Sequence, residues 1–327
     1  MSRYAEAHQN PTGPGDARPT ALQIIKDQAL ENKWVGKNIL VTGTSSGIGI
    51  ETARAFAATG ATVYATARDV GKAEKALSDI VSAGKAHILE LDLNSLESVR
   101  SCARDLLSRV DKLHVLVANA GIMIPPEGRT VDGFETQLGV NHLAHFLLFN
   151  LLKDAMLRSA EPGLSSRVIF LTSSGHRIAP VNFDDINFKT TPYNEWVAYG
   201  QSKTAMLWTA NQIERLYGSS GIHALSVMPG GIFSGLQKNI PDGGQAMFAG
   251  SLHIFKSPEQ GASTTLWAAT AKELEGVGAK YIEDCEVQGP APEGDNLTAA
   301  GYAPWAFDEA NEERLWGVSL EMVGLKA

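Results

Sequence analysis

Asn38-Ile39-Leu40-Val41-Thr42-Gly43-Thr44-Ser45-Ser46-Gly47-Ile48-Gly49 decides the fold. Five residues suited to a strand covered on both faces run straight into a glycine-rich turn, and Ile48–Thr59 then takes helical spacing. Glycines at 43, 47 and 49 let backbone N–H groups come close to a ligand, and a helix N-terminus adds partial positive charge. Strand, glycine turn and helix in that order therefore suit a dinucleotide pyrophosphate, with Ser45, Ser46 and Ile48 on the same turn. Three glycines among the 32 in this chain would say little without those flanks.

The alternation continues outward from this stretch. Strands are expected at Thr62–Thr66, His87–Leu91, His114–Ala118, Val168–Thr172 and His223–Met228, with a weaker one at Lys280–Ile282. Helices are expected at Val70–Ser82, Leu96–Val110, Thr136–Leu152, Val197–Tyr217 and Pro258–Ala271, and a short one at Ala21–Glu31 capped by Thr20. Short strands alternating with helices predict a single-domain α/β Rossmann fold, a doubly wound parallel sheet of about seven strands with helices on both faces. Residues 1–35 read as an N-terminal arm, loosely held over 1–20, residues 36–289 as the domain, and residues 290–327 as a C-terminal extension. Trp305, Phe307, Leu315, Trp316 and Leu320 give that extension an apolar side, for docking on its own subunit or on a neighbour.

Composition narrows the function classes. Of 327 residues, 44% are hydrophobic, and 28 Lys+Arg against 36 Asp+Glu leave a net charge of -8. That balance argues against nucleic-acid binding and electrostatic docking on anionic membranes. Two cysteines, Cys102 and Cys285, make no disulfide framework, and no His/Cys cluster suggests a metal. No apolar run reaches the ~18–20 residues needed to span a bilayer. Residues 1–20 lack a signal-peptide core, so a cytoplasmic protein without a membrane anchor is expected. Asn296-Leu297-Thr298 has glycosylation spacing, without consequence in the cytosol.

The second strand bears on which dinucleotide binds. An acid at its end would bond a ribose 2′-OH, whereas an arginine would pair with a 2′-phosphate. Arg68 occupies that place and Asp69 follows it, which favours NADP(H) over NAD(H) while leaving Asp69 as a dissenting signal. Further on, Tyr199 and Lys203 lie one helical turn apart, on one face. A nearby ammonium favours the phenolate, so such a tyrosine can exchange a proton with an alcohol or carbonyl oxygen. Alone, this spacing is common by chance and is more often that of a surface pair.

The Gly43/Gly47/Gly49 turn, Asn119-Ala120-Gly121 after a strand, Asn141, Ser174 and Tyr199/Lys203 occur in that order, and over residues 36–285 the chain resembles the short-chain dehydrogenase/reductase family. The resemblance implies that Tyr199 is the general acid/base, that Lys203 lowers its pKa and holds the nicotinamide ribose, and that Ser174 bonds the substrate oxygen. Asn141 would hold a water-mediated proton relay. Asn119, Ala120 and Gly121 would line the adenosine side, and Asp92 and Leu93 the adenine. Pro229, Gly230 and Ile232 would pass over the nicotinamide, with Ser234 where the family commonly has Thr.

The long insert Arg177–Trp196 and the runs Tyr281–Glu286 and Glu313–Ser319 resemble the retinol dehydrogenase and WW-domain oxidoreductase branch, here without an anchor or a WW module. That branch implies an NADPH-dependent reductase of a bulky, apolar ketone or aldehyde. Alternatives are an NAD(P)+-linked dehydrogenase of a secondary alcohol or a steroid- or retinoid-like compound, and a nucleotide-sensing scaffold. The family implies a lid over the substrate at residues 235–256, where Leu236, Ile240, Met247, Phe248, Leu252, Ile254 and Phe255 either cover the ligand or pack on the core. His176 reads as a residue that orders its loop, and His142 and His145 as locally bonded. A homodimer or homotetramer through core helices is the family's usual assembly.

Overall fold

A computed structural model describes residues 2–161, 163–294 and 297–326; Asn296 of the glycosylation spacing lies outside them. Eight strands, β1 (Asn38–Thr42), β2 (Thr62–Ala67), β3 (Ala86–Glu90), β4 (Val115–Ala118), β5 (Ser166–Leu171), β6 (Ile222–Met228), β7 (Lys280–Glu283) and β8 (Glu286–Val287), form one sheet in the order β3-β2-β1-β4-β5-β6-β7-β8. All neighbours are parallel except β7 and β8. The expected sheet of about seven strands thus gains a two-residue antiparallel edge. Asp284 and Cys285 join the two strands with φ of 56° and 55°, the backbone of a tight hairpin turn. Four-residue β4 and six-residue β5 are buried along their whole length, as a sheet covered on both faces requires.

The helices are α1 (Ala5–Gln9), α2 (Ala21–Asp27), α3 (Ile48–Ala58), α4 (Val70–Ala76), α5 (Ser78–Ser82), α6 (Leu96–Arg109), α7 (Ala144–Ser159), α8 (Glu195–Tyr217), α9 (Gln245–Phe248), α10 (Pro258–Gly261), α11 (Ser263–Thr270) and α12 (Glu309–Met322). One core joins α6, α7 and α8 to the sheet through Val99, Leu106, Phe146, Leu147 and Trp208. The other joins α2, α3 and α11 to the opposite face through Ile24, Phe56 and Leu266. Thr20 caps α2 as expected, accepting from Gln23 N–H. The helix expected over 136–152 starts instead as a π-helical stretch, Leu138–Leu143, and α7 runs on to Ser159. Such a wide turn recurs at functional positions, and it contains Asn141.

The N-terminal arm differs from the sequence reading, and the C-terminal extension takes one of the two courses that reading left open. The arm is tied down, not loose: Arg18 is buried and donates to the carbonyls of Ile254 (2.7 Å) and Phe255 (2.6 Å), while its Nε pairs with Asp16 at 2.8 Å. Tyr4, likewise buried, donates to Asp27. At the other end, α12 docks on its own chain. Trp316 meets Phe146 edge-on at 4.8 Å, Ser319 bonds His142 at 2.8 Å, and buried Glu312 accepts from Asn211 and pairs with Arg215. No helix among the described residues is long and apolar enough to cross a membrane.

Candidate active site

Strand order reverses between β1 and β4, and a cleft of 1250 Å³ opens at the carboxyl ends of the strands there. The sheet brings together segments far apart in sequence. Gly43, Ser45, Ser46, Gly47, Ile48 and Gly49 line the cleft after β1, Arg68 after β2, Asp92 and Leu93 after β3, and Asn119, Ala120 and Gly121 after β4. Ser174, Tyr199 and Lys203 join them, as do Pro229, Gly230, Ile232 and Ser234 after β6. Asn141 stands just behind, fully buried.

The glycine turn is dictated by close approach. A Cβ on Gly49 would lie 2.3 Å from the Gly43 carbonyl oxygen, and one on Gly43, at φ 75°, would lie 2.7 Å from the Ala120 Cβ. The N-terminus of α3 has no side-chain cap and faces the cleft, leaving its first amides for an anion. Thr42 Oγ1 accepts from the amides of Asn119 (3.0 Å) and Ala120 (2.9 Å), which locks the β4 exit against β1. Asn119 Oδ1 and Thr66 Oγ1 are buried, line the cleft and have no protein partner among the described residues. An uncapped helix start, glycines in contact with backbone and unpaired acceptors fit a dinucleotide. Arg68 is exposed at the rim, and Asp69, the dissenting signal, caps α4 by accepting from Lys72 N–H at 2.9 Å.

At the other end of the cleft the Ser173 hydroxyl stands beside the Tyr199 phenol and acts to lower its pKa. Ser174, the hydroxyl expected to meet the substrate oxygen, lines the cleft next to it. Ser173 Oγ accepts from Gly175 N–H at 3.0 Å, and Ser174 opens the turn that follows. Gly175 is a residue that sequence reasoning passed over: its missing side chain makes room for the Tyr199 ring, since a Cβ would lie 2.6 Å from Cε1.

Burial pushes the Tyr199 phenol up to about 12, against the effect of the Ser173 hydroxyl, and pushes Lys203 down to about 7. Desolvation is thus the largest influence on Tyr199 in the protein alone, in place of the lowering expected from Lys203. Lys203 Nζ donates to the Leu171 carbonyl at 2.8 Å and stands 5.7 Å from the Tyr199 ring centre. Asn141 is bound at both ends of its amide, Oδ1 accepting from Ile122 N–H and Nδ2 donating to the Ile122 carbonyl and Ser202 Oγ.

Met123, Tyr199 and Ile240 form a separate apolar cluster with Ile124, Trp196, Leu236 and Phe248. Three lid residues thus turn toward the phenol. Met247 and Leu252 stay exposed, and Phe255 stacks on Phe233 at 4.4 Å. Met123 and Trp196 carry no sequence signal that marks them as pocket walls. The lid is pinched at its base, where Lys256 N–H donates to the Gly231 carbonyl at 2.8 Å. Leu297, Thr298 and Ala299, from the C-terminal extension, line the same cleft.

Comparison with known proteins gives this geometry its family. Residues 37–244 match the family model described as short chain dehydrogenase. Short-chain dehydrogenase/reductase prx1 from Penicillium roqueforti is 49% identical over 99% of this chain and 95% of its own length. Retinol dehydrogenase 13 from Homo sapiens is 36% identical over 89% of this chain and 86% of its own. Among solved structures, the Pseudomonas aeruginosa RhlG/NADP active-site complex superposes with a TM-score of 0.63 at 25% identity, covering 76% of this chain and 94% of that one. The chain belongs to the short-chain dehydrogenase/reductase family, in its retinol dehydrogenase-like branch, and is an NAD(P)(H)-using oxidoreductase.

Proposed function

We propose that this chain is an NADPH-dependent reductase of a bulky, apolar ketone or aldehyde, with Tyr199 as the proton donor. The observation that carries the reading is the apolar wall of Met123, Trp196, Leu236, Ile240 and Phe248 around a phenol beside a serine hydroxyl. The bound dinucleotide supplies the hydride.

The chain's own residues do the rest. The α3 N-terminus and the glycine turn hold the pyrophosphate, and Asn119 to Gly121 line the adenosine. Lys203 reaches the ribose from the helix that carries Tyr199. Ser174 and Tyr199 donate hydrogen bonds to the carbonyl oxygen as it gains negative charge, and Tyr199 gives up its proton. Arg68 supports the preference for NADPH: its fork matches a 2′-phosphate, and the Asp69 carboxylate is occupied at the start of α4.

The test is NADPH oxidation against a panel of aryl ketones, ketoesters, aldehydes and steroid ketones, with NADH in parallel. Bulky apolar carbonyls should turn over with NADPH, and Tyr199→Phe should bind NADPH yet lose turnover by about 10²-fold or more. A Tyr199→Phe variant that kept its activity would sink the mechanism.

A further inference from the structure

His176 is fully buried in the turn Ser174–Arg177, between the candidate catalytic residues and the C-terminal extension. Its Nδ1 lies 2.6 Å from the Ser173 carbonyl, and its Nε2 lies 3.0 Å from the Ala303 amide. An amide can only donate, so Nε2 must be the acceptor and the proton must sit on Nδ1, where it is donated to Ser173. The His176 carbonyl is also taken up: Trp305 Nε1 donates to it at 3.2 Å and Thr204 Oγ1 at 3.0 Å. Residues 303–305 thus grip one residue through its ring and its backbone.

That grip is anchored on the helix carrying Tyr199 and Lys203. Trp208 Nε1 donates to the Trp305 carbonyl at 2.8 Å, and Asn211 donates to the Ala306 carbonyl and to Glu312. The Tyr281 ring closes one side of the imidazole, its centre 5.1 Å away. Burial pushes His176 down to about 4, which keeps the ring neutral and its acceptor nitrogen available.

We infer that His176 is a positioning residue: its two ring nitrogens join the Ser173 carbonyl to the Ala303 amide, so the C-terminal extension orients the hydroxyl beside Tyr199. The extension, outside the residues that match the family model, is in this way part of the active-site frame. The inference rests on the reductase reading for its kinetic consequence, but the tie itself stands on geometry.

Two measurements separate those parts. Long-range proton–nitrogen correlation spectra of histidine-labelled protein, with His176→Asn for assignment, should show Nδ1 protonated and Nε2 bare. A ring protonated at Nε2 overturns the tie, whatever the enzyme's substrate. Kinetics then test positioning, using NADPH and the best carbonyl of the panel. His176→Ala should lower kcat by at least tenfold with the Kd for NADPH within twofold of the parent. His176→Asn keeps a donor near the Ser173 carbonyl and should recover most of that loss, whereas His176→Gln keeps only an acceptor toward Ala303 and should not. Recovery by Gln equal to that by Asn, or kcat within threefold of the parent in all three, overturns the positioning role. A parent enzyme indifferent to Tyr199→Phe would instead count against the reductase reading, leaving the tautomer result intact.

Discussion

Gly175→Ala isolates a single steric fact about the active site. The added methyl carbon would sit 2.6 Å from Tyr199 Cε1 and 2.9 Å from Cδ1, so the ring must retreat by roughly 0.8 Å to reach ordinary contact near 3.4 Å. The same carbon would stand 3.3 Å from Ser173 Oγ, pressing on both the phenol and the hydroxyl beside it. Gly175 does not have the positive φ that would itself penalise alanine. Backbone stiffening therefore offsets part of the crowding, and folding stability should fall by about 1–2 kcal/mol. Misplacement of a reacting group by about 1 Å costs on the order of 10²-fold in rate. The expected loss in kcat is thus about 30- to 100-fold, or roughly 2–2.7 kcal/mol of activation free energy. Initial rates of NADPH oxidation give kcat, cofactor fluorescence gives the Kd, and thermal melts report the fold. A variant that still melts cooperatively and keeps kcat within threefold of the parent would refute the contact between Gly175 and the phenol as a determinant of rate.

Arg68→Asp should weaken NADPH by about 10- to 100-fold and shift preference toward NADH, the scale of losing charge-assisted hydrogen bonds; an unchanged ratio of kcat/KM for the two cofactors contradicts the assignment. Arg18→Ala removes the donors that hold the Ile254 and Phe255 carbonyls at the lid's exit. Native-state proteolysis within residues 235–256 should then accelerate at least tenfold, and equal rates would show that the arm does not restrain the lid. Burial pushes His114, His145 and His176 down to about 4 and His142 to about 3. Below their unfolded value of about 6.5 the unfolded chain binds protons that the fold refuses, so stability falls as pH falls. Glu283, raised to about 7 by burial, acts in the opposite sense. The net slope near pH 5 is about three protons, on the order of 4 kcal/mol per pH unit. Melts from pH 7 to 5 should show a steep decline, and a flat profile would exclude neutral burial of these rings.

Local chemistry made much of this protein legible from its residues alone. Strand and helix periods, the glycine turn of residues 43–49 and the single-turn spacing of Tyr199 and Lys203 are properties of short segments, and they place the elements correctly while missing breaks such as the one between α10 and α11. Tertiary structure decided what depends on direction and on distant neighbours. Adjacent serines share every local preference, and only the path of the turn after β5 sets the Ser173 hydroxyl beside the phenol. Asp69 reads as a ribose acid until α4 claims it as a cap. Met123 and Trp196 became pocket walls because the lid folds over them, which no periodicity encodes. The arm and the C-terminal extension lack strong periodicity, yet Arg18 and His176 bind them to the lid and to the Ser173 turn. Hydrogen bonds spanning 236 residues from Arg18 to Ile254, or 127 from His176 to Ala303, exist only once the sheet has set the ends of its strands side by side.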